Sequence, residues 1–201
     1  MRVAVISDIH ENYHNLLKAL EIMPALGVAR IWCLGDLMNT GVAYVLAGCG
    51  LPTFSIWGNN DGDKVSIVRA AMDSGGSLQM GHQTYAFVEA ADRQVFLTHY
   101  PDLAGPVARS QAFDAVFYGH DHRQHQEWVG ACLVANPGEV SAHKTGEATF
   151  AIYDTERNSV EFVPIPGAIS LRTDYVLGQA AWRQVHPEGQ PGIGAIRELG
   201  D

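Results

Sequence analysis

The first half of the chain alternates short apolar runs with segments of helical period. Arg2–Ser7 is a β-branched run, the pattern of a strand buried on both faces. Asn12–Leu26 follows, with Leu16, Leu17, Leu20, Ile22 and Met23 at near-helical spacing and Pro24 and Gly27 marking its end. Ala29–Leu34 is a second run, Thr40–Ala47 a helical stretch, Thr53–Trp57 a third run, and Lys64–Met72 another helix. This β-α-β-α-β-α order predicts a parallel α/β unit. After Ser74–Gly76 the pattern changes. Thr84–Val88, Val95–Thr98, Ala115–Tyr118, Trp128–Ala135, Thr149–Tyr153 and Val160–Val163 read as strands, and only Pro101–Gln111 offers a short helix. An α/β half followed by a β-rich half predicts two sheets packed together with helices outside. From Pro164 onward prolines and glycines alternate, and Ala168–Val185 fits a strand or a helix. The reading is one domain over residues 1–165, with residues 166–201 as an appendage packed on it or at a contact with a partner copy.

The polar residues that interrupt the apolar runs carry the chemistry. Arg2–Ser7 ends in Asp8-Ile9-His10, and Ile31–Leu34 in Gly35-Asp36. Phe54–Trp57 ends in Gly58-Asn59, Val95–Thr98 in His99, and Ala115–Tyr118 in Gly119-His120-Asp121-His122. In parallel sheets, ligands bind beyond the carboxyl ends of the strands, so residues distant in sequence converge there. Glycine before Asp36, Asn59 and His120 permits a sharp turn or a close backbone approach. Residues i and i+2 on an extended segment point the same way, which would aim each Asp/His-x-His pair at one ion.

Asp8, His10, Asp36, Asn59, His99, His120 and His122 make seven candidate ligands, more than one ion takes at a reactive site. Two divalent ions fit if one carboxylate bridges. Asp36 suits that role, being central in chain order and following a glycine turn. A set of nitrogen and oxygen donors suits Mn²⁺, Fe or Zn²⁺ better than Cu(I) or Ca²⁺. Each element alone is weak, since histidines at apolar rims and aspartates after strands are mostly structural. The conjunction at five strand ends sets this chain apart.

Composition narrows the partners. Hydrophobic residues make up 47% and charged residues 17% of the 201, the balance of a globular protein with a sizeable core. Thirteen basic residues against twenty-two acidic ones give a formal net charge of −9, and the basic residues are scattered singly. No stable nucleic-acid binding through a basic surface is expected. No apolar run approaches membrane-spanning length. Cys33, Cys49 and Cys132 lack CxxC spacing and read as free buried thiols of a reducing compartment, so a cytoplasmic location is expected. A P-loop of the form GxxxxGK[ST] is absent.

The series Asp8-x-His10, Gly35-Asp36, Gly58-Asn59-Asn60-Asp61, His99 and Gly119-His120-Asp121-His122 resembles the calcineurin-like metallophosphoesterases. The small size and Asn136-Pro137-Gly138 resemble their compact bacterial and archaeal phosphodiesterase branch, over about residues 1–155. The resemblance implies a four-layer α/β/β/α sandwich of two mixed sheets and a dinuclear centre. Asp8, His10, Asp36 and His122 would hold one ion; Asp36, Asn59, His99 and His120 the other. A bridging water or hydroxide would attack a small phosphorylated substrate, a nucleotide or phosphodiester. Asn60 stands where the family usually has a histidine that assists the leaving group or contacts phosphate, so Asn60 is a candidate catalytic and substrate-binding residue. Tyr100 replaces a frequent glycine and Asp121 a frequent threonine. Arg123, beside the last ligand, is a candidate phosphate contact. The remaining histidines, His14, His82, His125, His143 and His186, are assigned to surface or core packing. Two other readings compete. A retromer subunit of this fold works as a binding scaffold, but with degraded ligand positions. Dinuclear amide or ester hydrolases more often open with His-x-His.

Overall fold

The computed structural model describes residues 1–173; the expectations for residues 174–201 lie outside them. The first half forms β1 (Arg2–Ile6), α1 (Tyr13–Ile22), β2 (Val28–Cys33), α2 (Thr40–Gly48), β3 (Thr53–Ser55), α3 (Lys64–Asp73) and β4 (Leu78–Met80). The second half forms β5 (Tyr85–Ala90), β6 (Arg93–Thr98), α4 (Pro101–Arg109), β7 (Ala115–Phe117), β8 (Gln124–Val129), β9 (Cys132–Pro137), β10 (Thr149–Asp154) and β11 (Ser159–Pro164). One mixed sheet has the order β11-β10-β1-β2-β3-β4 and the other β5-β6-β7-β9-β8. Within them β1-β2-β3-β4 and β6-β7-β9 run parallel, so their carboxyl ends share one rim in each sheet.

Side-chain alternation explains the layering. Val3 and Val5 of β1 face the second sheet, joining Trp32, Leu97, Phe117, Leu133 and Tyr153 between the sheets. Ala4 and Ile6 face the other way, against Leu16 and Ala19 of α1, Val42 and Leu46 of α2 and Ile67 of α3. Phe96, Val116 and Val134, on the outer face of the second sheet, meet Ala104 and Ala108 of α4. Four layers result, as expected. The helices start where side chains accept the otherwise unpaired first-turn N–H groups: Asn12 from Asn15 N at 3.1 Å, Asn39 from Val42 N at 3.1 Å, and Asp63 from Ser66 N at 3.1 Å. α4 starts instead with Pro101, which has no N–H to satisfy.

Two expectations are corrected. Trp128–Ala135 is not one strand but a hairpin that turns at Gly130, where φ is +62°, with Trp128 paired to Leu133. β4 escaped the sequence reading because three residues next to Gly81 carry too little periodicity. Cys33 and Cys132 are buried as expected, whereas Cys49 is half-buried. No helix among the described residues is long and apolar enough to cross a membrane.

Trp32 is 1% exposed, with Phe117 and Tyr153 ring centroids both at 6.1 Å. Trp32→Ala should lower the unfolding free energy by about 3–5 kcal/mol, measured by urea denaturation. A loss within experimental error would show that the two sheets do not share one core.

Candidate metal centre

The seven predicted side chains come together between the carboxyl ends of β1, β2, β3, β6 and β7. Three glycines set how closely. A Cβ on Gly35 would lie 2.3 Å from Gly58 N, one on Gly58 would lie 2.1 Å from Asp36 Oδ1, and one on Gly119 would lie 2.1 Å from Ser7 Oγ. Only Gly35 also has a positive φ, of +98°. Asp61 ties the β2 and β3 turns together, accepting from Gly58 N at 2.6 Å, Met38 N at 2.9 Å and Asp36 N at 3.2 Å.

The expected extended Asp/His-x-His geometry is not what aims the side chains. Asp8, His10, Asp36, His120 and His122 all have positive φ, between 47° and 72°. They sit in turns past the strand ends, so each pair converges through left-handed backbone rather than strand alternation. Asp and His tolerate this region better than most residues, and each instance still costs about 1 kcal/mol or more. The surrounding packing must hold the conformation in place.

Asp8 lies at the centre. Its Oδ2 accepts from Ser7 Oγ at 2.6 Å and from His120 N at 3.0 Å. Its Oδ1 faces His122 Nε2 at 3.3 Å and His10 Nε2 at 3.7 Å. Neither contact has hydrogen-bond geometry, and Asp8 Oδ1 and His10 Nε2 are enclosed without a hydrogen-bond partner. Burial alone would raise the Asp8 carboxyl, but His10, His122 and the Ser7 hydroxyl hold it below its ordinary value. Burial would likewise lower His10, but Asp8 and Asp36 raise it. Asp36 Oδ2 lies 3.4 Å from His10 Nε2 and 3.7 Å from His99 Nε2, spanning the two halves of the cluster.

The imidazoles are oriented from behind. His99 Nδ1 lies 2.8 Å from the Leu34 carbonyl, so this nitrogen carries the proton and Nε2 presents a lone pair. That lone pair meets Asn59 Oδ1 at 2.9 Å, also an acceptor, and His120 Nδ1 at 3.3 Å. His122 Nδ1 lies 2.7 Å from Glu139 Oε2, which turns Nε2 toward Asp8. Acceptor atoms thus converge with few protons between them, and Asp8 Oδ1 and His10 Nε2 with none, the arrangement a cation resolves. Asp8, His10 and His122 form one group able to hold an ion, and Asp8, Asp36 and His99 another.

The sequence reading missed two residues here. Glu139 is fully buried. Its carboxylate accepts from Thr145 N and Oγ1, each at 2.7 Å, His143 N at 2.8 Å, Lys144 N at 3.0 Å and the Ser141 hydroxyl. Burial opposes its charge, but His122, Ser141 and Thr145 hold it well below the usual carboxylate range. The signal available was its place after Asn136-Pro137-Gly138. His143, assigned to surface or core packing, is exposed as the first of these allows, but its ring also stacks on His10 at 5.8 Å and belongs to the rim. The other departures also have contacts. Asn60 is exposed and donates its backbone N–H to Asp36 Oδ1 and its Nδ2 to Asp36 Oδ2, both at 2.8 Å. Tyr100 walls the site, its ring 5.2 Å from those of His99 and His120. Asp121 accepts from Asn136 Nδ2 at 2.6 Å and from Arg123 N at 3.1 Å, while Arg123 as a whole is exposed.

Partners behind a ligand typically contribute about 10–100-fold to metal affinity. Glu139→Gln should therefore weaken Mn²⁺ binding by about that factor, measured by competition with a chromogenic chelator. Unchanged affinity would show that Glu139 serves folding alone.

Comparison with known proteins places the chain in a family. Residues 1–158 match the calcineurin-like phosphoesterase superfamily domain. A phosphodiesterase of Methanocaldococcus jannaschii is 30% identical over 159 residues, covering 78% of this chain and 95% of the relative. The structure of an archaeal phosphodiesterase superposes with a TM-score of 0.76 at 28% identity, covering 82% of this chain and 99% of that one. The fold is shared with a phosphoesterase of E. coli, at TM-score 0.59, 23% identity, and 82% and 100% coverage. It is also shared with Vps29 of Entamoeba histolytica, at TM-score 0.57, 16% identity, and 82% and 99% coverage. Motifs, fold and matched residues agree: the chain belongs to the calcineurin-like phosphoesterase superfamily.

Proposed function

We propose that the protein is a phosphodiesterase or nucleotide phosphatase that works with two divalent ions, Mn²⁺ foremost and Fe or Zn²⁺ as alternatives. Membership of the family makes it a hydrolase of phosphoric ester bonds that uses divalent metal. The observation that carries the finer reading is the enclosed, unpartnered pair Asp8 Oδ1 and His10 Nε2. Asp8, His10, Asp36 and His122 would hold one ion, and Asp36, Asn59, His99 and His120 the other. Such ions supply an acidified water as nucleophile and positive charge for the phosphoryl oxygens.

The protein's own part is positioning. Leu34 O and Glu139 fix the proton-bearing nitrogens of His99 and His122, leaving the opposite nitrogens free to ligate. Asp36 would be the shared carboxylate, its Oδ2 lying 3.4 Å from His10 Nε2 and 3.7 Å from His99 Nε2. Asp8 accepts from Ser7 and His120 N at Oδ2, which would leave Oδ1 to face an ion beside His10 and His122. Asn60 steadies Asp36 with two hydrogen bonds, and in the proposed reaction it would stand beside the leaving group. An amide donates hydrogen bonds but does not titrate usefully, so it gives the leaving group no proton. Seven filled positions favour this reading over a scaffold that binds without turnover.

The metal-loaded protein should hydrolyse bis-p-nitrophenyl phosphate, lose that activity to a chelator and regain it with Mn²⁺. Asp36→Asn should lower turnover to background and leave fewer than two ions per chain, by metal mass spectrometry. Two retained ions in that variant would refute the bridge. A second outcome concerns Asn60: kcat/KM across aryl and alkyl diesters should fall steeply as the leaving-group pKa rises. A flat dependence would show that some other group supplies the proton.

A further inference from the structure

Asn12 and Asn15 are both fully buried and do more than cap α1. Asn12 Nδ2 donates to Ser141 O and to Ile169 O, each at 2.9 Å. Asn15 Nδ2 donates to Val140 O at 2.7 Å and to Ile169 O at 2.9 Å, and its Oδ1 accepts from Ile169 N at 2.9 Å. His14 Nε2 lies 2.9 Å from Gly167 O, and Ala168 packs on the helix-side core. Residues 167–169 are therefore fastened across the start of α1, although they lie beyond residue 158, where the family match ends. Buried amides used this way fix the path of the chain, because releasing it would strand them unpaired.

The path leads to the metal centre. Arg172 Nη1 lies 3.5 Å from His143 O, and the His143 ring stacks on His10. From the same loop, Lys144 Nζ donates to His120 O at 3.3 Å. Among the described residues neither cation forms an ion pair with a carboxylate. Two positive groups thus border the rim, Arg172 at His143 and Lys144 at His120, on a chain whose net charge is −9. Both contacts are made to backbone carbonyls of residues at the edge of the cluster, His143 and His120, and not to the candidate ligand atoms themselves.

We propose that residues 167–172 form a strap that delivers Arg172 to the mouth of the site, where Arg172 and Lys144 hold a second phosphoryl group of the substrate. The inference rests on the phosphoesterase reading above and narrows its substrate class to esters carrying two phosphoryl groups. An arginine suits this role because its planar fork pairs with two phosphate oxygens at once. Contacts to a remote, non-reacting group add specificity without touching the chemistry.

The test uses two diesters with the same leaving group, the 5′-p-nitrophenyl phosphate of thymidine with and without a 3′-phosphate. The full-length, Mn²⁺-loaded protein should favour the 3′-phosphorylated ester in kcat/KM by about tenfold or more. Arg172→Ala should abolish the preference while leaving the other ester within about twofold, and Arg172→Lys should restore part of it. Binding is read separately by calorimetry with methylenebisphosphonate and methylphosphonate, with no free metal and with metal content checked afterwards. Arg172→Ala should weaken only the bisphosphonate, by about tenfold. Equal effects on both members of either pair, or no preference in the unmodified protein, would overturn the assignment. Failure of the loaded protein to cleave either ester would overturn the hydrolytic reading, and the calorimetric contrast would still decide the role of Arg172.

Discussion

Asp8 Oδ1, His10 Nε2, His99 Nε2, Asn59 Oδ1 and Asp36 Oδ2 crowd together with too few protons between them. His99 Nε2 is an acceptor because its other ring nitrogen faces the Leu34 carbonyl, the carboxylate and amide oxygens accept by nature, and Asp8 Oδ1 and His10 Nε2 are sealed from water with no hydrogen bond. Left alone, such groups repel one another and forfeit their hydration. The rest of the fold at this rim can be understood as the means of enforcing that proximity. Divalent cations are the species that turn it from a cost into binding energy.

The enforcement is distributed. β1, β2 and β3 end together because they are parallel, and the second sheet brings β6 and β7 to face them across a core centred on Trp32, Phe117 and Tyr153. Gly35, Gly58 and Gly119 let the turns interpenetrate where a Cβ would collide with backbone or with Asp36 and Ser7. Asp61 and Glu139 are buried carboxylates that gather backbone N–H groups of the surrounding loops. Glu139 also grips His122, so the loop that carries His143 and Lys144 and a side chain of the cluster share one anchor. Moving that loop would move the imidazole.

The sequence made part of this legible. Parallel strands ending in Asp8, Asp36, Asn59, His99 and His120 follow from the apolar runs, and so does the convergence of those residues. The local geometry was misread: Asp8-x-His10 and His120-x-His122 are left-handed turns, because no strand pairing extends past Ile6 or Phe117 to keep them extended. The hairpin at Gly130 looked like one strand because both of its arms are apolar near the turn. Glu139 and His143 were invisible for a different reason. Their importance comes from contacts with residues more than a hundred positions away in His10, or across a strand pair in His122, and nothing local marks them. Nothing in the segment Asn12–Leu26 marks Asn12 and Asn15 for a distant contact, and only the folded chain shows them holding Ile169.

Calorimetric titration of the metal-stripped protein with Mn²⁺ tests the central claim most directly. The crowded acceptor cluster predicts two equivalents bound per chain, with protons released as His10 gives up its raised affinity for them. A stoichiometry of zero or one would contradict it.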